Sequence, residues 1–206
     1  LVVGLLTSLP AFAAEPPPAD CTQLDTDIAR TEHARRVAVE RTATALAWVD
    51  QVFGPYAWPQ ITNLHRIDGG GTEFPMMIMD GSASQGLIVH ELGHNYTMGI
   101  LANNEWREGW LDEGFTSFQS SWFSEVVEKQ HDTYAENEAS VLQLDLAGRS
   151  EPVSLISDEY SDFVVYNQMI YSKGELFLQQ LRYVVGDSVM HEILQTYYER
   201  WQLKHV

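Results

Sequence analysis

His90 and His94 stand four residues apart, with Glu91 between them in the run H-E-L-G-H. Residues at i and i+4 share one face of a helix, so the two imidazoles can converge on one ion, and zinc is the metal that this pair takes in hydrolytic sites. Glu91 is rotated off that line, which suits a base acting on water better than a ligand. A catalytic zinc wants three protein ligands and one open position, and His-His-Glu is one of the known sets. Carboxylates for the third place follow downstream at Glu105, Glu108, Asp112 and Glu113, the last two within W-L-D-E-G-F.

The spacing has meaning only on a helix, and the surrounding residues predict one. Ser82 or Ser84 supplies an N-cap, and Leu87, Ile88 and Leu92 give the helix one apolar side. Phe115, Phe118 and Trp122 recur every three to four residues and put the downstream carboxylates on a second helix. Upstream, Thr22 to Val52 reads as a long helix ended near Gly54-Pro55, carried by Ile28, Arg35, Val39, Leu46 and Val49. Two strand-like runs, Ile61 to Ile67 and Pro75 to Asp80, flank Gly69-Gly70-Gly71. Gln119 to Leu146 again reads as helix, Arg149 to Asp158 as loop, and Leu176, Phe177 and Leu181 as a helical run opened by Tyr171. The expected class is α+β, mostly α, with a small strand hairpin beside the metal-binding helices.

H-E-L-G-H, a gap of eighteen residues and then Glu113 in W-L-D-E-G-F resembles the gluzincin metallopeptidases, and within them the aminopeptidase N and leukotriene-hydrolase family. The resemblance implies a thermolysin-like catalytic domain in which His90, His94 and Glu113 bind one zinc ion and Glu91 is the general base. Asp112 then either faces solvent or orients a ligand imidazole. Gly69-Gly70-Gly71-Thr72-Glu73-Phe74-Pro75 is similar to the family's G-x-M-E-N segment, with Thr72 and Phe74 in place of methionine and asparagine. Glu73 falls where the family holds the substrate's α-amine, and Gly70 and Gly71 allow close approach of the backbone to a substrate strand. Tyr171-Ser172-Lys173-Gly174 resembles Y-x-K-G, whose tyrosine donates to the oxyanion, while Tyr166 reads as pocket wall. The implied activity is zinc-dependent removal of N-terminal residues from peptides with a free N-terminus. The alternatives are an endopeptidase, another small-substrate hydrolase, or a zinc-binding fragment without turnover.

A chain of 206 residues with 45% hydrophobic content can bury one sizeable core. Its net charge of −17 argues against nucleic acid or an anionic membrane surface as partner. Leu1 to Ala14 is almost wholly apolar, ends in Ala-Phe-Ala-Ala and is too short to span a bilayer stably, so it reads as the remnant of a secretory signal peptide. Residues 15–23 read as a proline-rich linker and 24–206 as a partial metallopeptidase domain, in a protein expected to be secreted or periplasmic. Cys21 has no internal disulfide partner. The resemblance runs from about Thr42 to Val206 and leaves no room before it for the family's β-rich N-terminal domain, and Lys204-His205-Val206 stops without a helix cap. The expectation is therefore a fragment, or a minimal relative with a more open cleft. The remaining histidines, 33, 65, 131, 191 and 205, have no ligand spacing and are read as surface or core residues.

Overall fold

A computed structural model describes residues 22–206. The apolar leader, Cys21 and all but the last two residues of the expected linker lie outside the described residues. Thr22 and Gln23 belong to the first helix, α1 (Thr22–Val52). A three-stranded sheet of β1 (Thr62–His65), β2 (Gly71–Thr72) and β3 (Met77–Asp80) follows. Next come α2 (Gln85–His94), α3 (Phe115–Val126), α4 (Ala135–Leu146), α5 (Phe163–Asn167), α6 (Gly174–Val185) and α7 (Asp187–Trp201). Three wide, π-helical segments interrupt this series: Asn95–Ile100 continues α2, Trp110–Gly114 leads into α3, and Gln168–Lys173 joins α5 to α6. No described helix is long and apolar enough to cross a membrane.

The α+β, mostly helical class holds, but the two strand-like runs do not pair as a hairpin. β1 and β3 are parallel, with Thr62 opposite Met77 and His65 opposite Asp80, and β2 adds antiparallel to the other edge of β3. β3 is central because it has the buried face, with Ile78 fully enclosed and Asp80 almost so. The antiparallel element of this region is thus the short glycine segment itself. The helix expected over Gln119–Leu146 is two helices, broken between Val126 and Ala135 where Lys129 and Asp132 take left-handed backbone conformations. The N-terminal cap of α2 is Ser84, whose Oγ accepts from Leu87 N at 3.4 Å.

The main core joins the long first helix to the metal-motif helix. Trp48, Val49, Val52 and Phe53 from α1 and its end meet Ile88, Val89 and Leu92 of α2, Phe118 and Trp122 of α3, and Leu194 and Tyr198 of α7. Trp48 meets Trp122 edge-on at 5.8 Å between ring centres, an arrangement that adds to the burial of two large rings. His191 lies against Trp122 in the same region, so it is a packing histidine. A second cluster, Leu144, Tyr160, Val165, Met169 and Ile170, anchors α4 and α5 under the segment that carries Tyr171. Together the cores fix α2 and the segments Trp110–Gly114 and Gln168–Lys173 around a single point.

Candidate metal centre and substrate cleft

At that point three donor atoms meet. His90 Nε2 and His94 Nε2 are 3.2 Å apart, and Glu113 Oε2 lies 3.3 Å from the first and 3.2 Å from the second. Donors bound to a tetrahedral zinc at about 2.0–2.1 Å stand about 3.3–3.4 Å from one another, so this near-equilateral triangle fits the ion. The charges agree with the geometry. Burial opposes a protonated His94, yet Asp112 and Glu113 hold its pKa well above the ordinary histidine value. Burial likewise raises the Glu113 carboxyl, but the two imidazoles overcome it and hold the group well below the usual carboxylate range. A cluster that draws a proton onto a fully buried imidazole is one that a cation would satisfy. Of the competing carboxylates only Glu113 joins the histidines.

Asp112 is not solvent-facing: it is buried and its Oδ1 accepts from His94 Nδ1 at 2.5 Å, leaving Nε2 free to face the ion. Glu91 is buried beside the triangle. Burial is the main reason its pKa rises to about 8, with Glu73, Asp80 and Glu113 adding to the rise and His94 opposing it. Its carboxylate packs against Gly71, where a built Cβ would stand 2.1 Å from Glu91 Oε1. What Gly71 admits closely is therefore the Glu91 carboxylate. Gly70 has φ +80° with open space around it, so its glycine serves the turn.

The loop carrying Glu73 is held from both sides. Arg66 donates to Gly71 O at 3.0 Å and to Thr72 Oγ1 at 2.9 Å, which gives the threonine at the family's methionine position a local role. Asn95, directly after His94 and wholly buried, accepts from Met76 N at 2.8 Å and from Tyr56 Oη at 3.0 Å. Met76 is one of the few non-glycine residues with positive φ, 63°, and this bond secures it there. Asn95 was invisible to motif reading, although its place beside a ligand was a signal. Glu105, considered above as a metal ligand, instead brings its carboxylate within 4.8 Å of those of Glu73 and Asp112. Burial, then Asp112 and Glu73, push its pKa up. Glu73 thus shares its corner with a second acidic group that no spacing rule identified.

Tyr171 faces the centre from the opposite wall. Its Oη donates to Glu113 Oε1 at 2.5 Å, and its ring lies parallel to that of His90 at 6.2 Å. Burial, followed by Glu113, pushes its pKa far above the ordinary tyrosine value, so it is a hydrogen donor under all ordinary conditions. Tyr166 lines a cavity of about 580 Å³ that opens beside Glu113 and is walled by Trp106, Tyr160 and Phe163.

Aminopeptidase B of Rattus norvegicus is 27% identical over 180 residues, covering 78% of this chain and 28% of that protein, and aminopeptidase B of Homo sapiens gives the same figures. Among solved structures, the M1 zinc metallopeptidase of Deinococcus radiodurans superposes with a TM-score of 0.67 at 23% identity, over 81% of this chain and 38% of that one. Native yeast LTA4 hydrolase gives 0.65 at 18% identity, over 79% and 29%. The two structures speak to the fold. The chain spans little more than a quarter of the length of the curated relatives it matches. Residues 75–206, which include His90, His94 and Glu113, match the peptidase family M1 domain, and the chain belongs to that family.

Proposed function

We propose that this chain is the catalytic core of a zinc aminopeptidase, with His90, His94 and Glu113 as the ligands of one ion. The observation that carries the reading is the donor triangle of 3.2–3.3 Å with Glu91 and Tyr171 on its flanks. Zinc bound there supplies Lewis acidity, lowering the pKa of water and polarising the scissile carbonyl. Glu91 takes a proton from the attacking water as the new C–O bond forms, and passes it to the amine that leaves when the C–N bond breaks. Tyr171 donates its phenolic hydrogen to the oxygen that gains charge, a bond made only as the carbonyl becomes tetrahedral. Glu73 holds the substrate's ammonium and so sets the cut one residue from a free N-terminus. The aminopeptidase names of the relatives support that choice over internal cleavage.

The test is hydrolysis of matched peptides with free and acetylated N-termini by the wild type and by Glu91→Gln. The wild type should release the first residue from the free peptide only, and Glu91→Gln should keep about one zinc per chain while losing a factor of about 10²–10⁴ in kcat. Preference for the acetylated peptide, or full activity in Glu91→Gln, refutes the reading. We also assign the protein to an exported compartment, a proposal supported by the apolar Leu1–Ala14 and its small-residue end.

A further inference from the structure

Behind His94 the structure holds two threonines that the reaction itself does not use. Thr97 and Thr116 are wholly buried, as are Asp112 and His94. Thr97 Oγ1 is 3.0 Å from Asp112 Oδ1 and 3.0 Å from Thr116 Oγ1, and Thr116 Oγ1 is in turn 3.4 Å from His94 Nδ1. The four groups close a ring in which each touches the next.

The hydrogens in that ring can run only one way. Thr97 Oγ1 has two pure acceptors in reach, Gly93 O at 3.5 Å and Asp112 Oδ1 at 3.0 Å; the nearer is a carboxylate that accepts and cannot donate, so Thr97 gives its hydrogen to Asp112. Thr97 then has only lone pairs left, so Thr116 must donate to it. Thr116 consequently turns a lone pair, and not its hydrogen, toward His94 Nδ1. The imidazole finds two acceptors on that side, Asp112 Oδ1 at 2.5 Å and Thr116 Oγ1 at 3.4 Å. Nδ1 therefore keeps its hydrogen, so Nε2, the atom in the donor triangle, is the nitrogen that gives up a proton and turns its lone pair to an ion.

We propose that Thr97 and Thr116 are positioning residues, a directed hydroxyl pair that fixes the tautomer and orientation of His94 for metal binding. The inference rests on the zinc-site reading above and adds to it a cause for His94 presenting Nε2, and not Nδ1, to the ion. The pair is built by irregular helix: Thr97 sits in the π-helical segment Asn95–Ile100, and Thr116 is the second residue of α3, just beyond Trp110–Gly114, so two wide turns bring the hydroxyls together.

The experiment is zinc affinity by competition with a chromophoric chelator, on the full chain, for Thr97→Val, Thr116→Val and Thr97→Ser, with the melting temperature of each metal-free protein as control. Valine keeps the shape and removes the hydroxyl. Each valine variant should bind zinc about 10- to 100-fold more weakly, as removal of partners of a metal ligand commonly does. Thr97→Ser, which keeps the hydroxyl and loses a methyl, should stay close to the wild type. Wild-type affinity in both valine variants overturns the proposal. So does an equal loss in Thr97→Ser, which would assign the effect to packing. Should Thr97→Val not fold, Thr116→Val decides by the same criterion. A wild type that binds no zinc removes the metal-site reading itself and this inference with it, whereas tight wild-type binding with unaffected variants removes the inference alone.

Discussion

Tyr171 donates to one oxygen of Glu113 while the other oxygen of the same carboxylate faces both imidazoles. A single side chain therefore couples the proposed oxyanion donor to the triangle of candidate metal ligands. Before substrate enters, the phenol is held at a known place by a bond of 2.5 Å, and its ring is steadied against that of His90. In the proposed reaction it exchanges this acceptor for the carbonyl oxygen that gains charge. A donor kept aligned in this way needs little reorganisation when charge develops.

Tyr171→Phe isolates that donor. It should keep its zinc, because Glu113 Oε2 and the two imidazoles are untouched, and lose a factor of about 10²–10³ in kcat. Metal analysis alongside steady-state kinetics checks both halves. Unchanged kcat would show that the phenol is not used.

Gly71 and Gly70 should respond in opposite ways. In Gly71→Ala the new methyl meets Glu91 Oε1, so the base must move, and a displacement of that size costs about 10² in activity with the fold and zinc intact. In Gly70→Ala nothing is struck, but φ of +80° is unfavourable for alanine, so about 1–2 kcal/mol of stability is lost with the base in place. Kinetics and thermal unfolding of the two variants separate the effects.

Glu73→Gln should act on substrates through their charge. A charge-assisted bond is worth about 1.5–3 kcal/mol, so kcat/KM for a peptide with a free amine should fall about 10- to 100-fold. Any residual cleavage of an acetylated peptide should not change. An equal loss on both substrates would make Glu73 a structural residue. Glu105, close by, would then be the group to test.

Asp80, nearly fully buried on β3, gives a pH-dependent stability of defined sign. Burial raises its pKa from 3.8 to about 6, and Asn63 beside it offsets only part of the rise. The folded state therefore holds this proton more tightly than the unfolded chain. The penalty is absent below about pH 4, grows as pH rises toward 6, and is complete above it. Asp80→Asn should stabilise the protein at pH 7.5, by up to about 3 kcal/mol, and make little difference at pH 4. Thermal melts at the two pH values check this, and a variant less stable than wild type at pH 7.5 contradicts it.

The ligands were legible because they are a spacing: His90 and His94 by one helical turn, Glu113 by a resemblance that counts residues. Ser84, the long α1 and the apolar face of α2 followed from capping and periodicity. Strand pairing did not, since alternation tells which face of β3 is buried but carries no information on whether its neighbour runs parallel. The break between α3 and α4 escaped because Lys129 and Asp132 make the turn without a glycine or proline to mark it. Asn95 and the place of Glu105 escaped, and Asp112 stayed open between solvent and a ligand imidazole, for another reason: their roles depend on what the chain folds against them.

Each wide turn at this centre holds one residue more than an α-turn would, and every residue beyond it is displaced by about 100° about the helix axis. The segments so displaced carry Thr97, the Asp112–Glu113 pair and Tyr171. Deleting one residue from any of them would leave a smoother helix of nearly the same composition. The five letters from His90 to His94 would be unaltered, and the groups that complete them would point elsewhere. In this chain, then, a gap of a single position near the motif separates the signature from the centre.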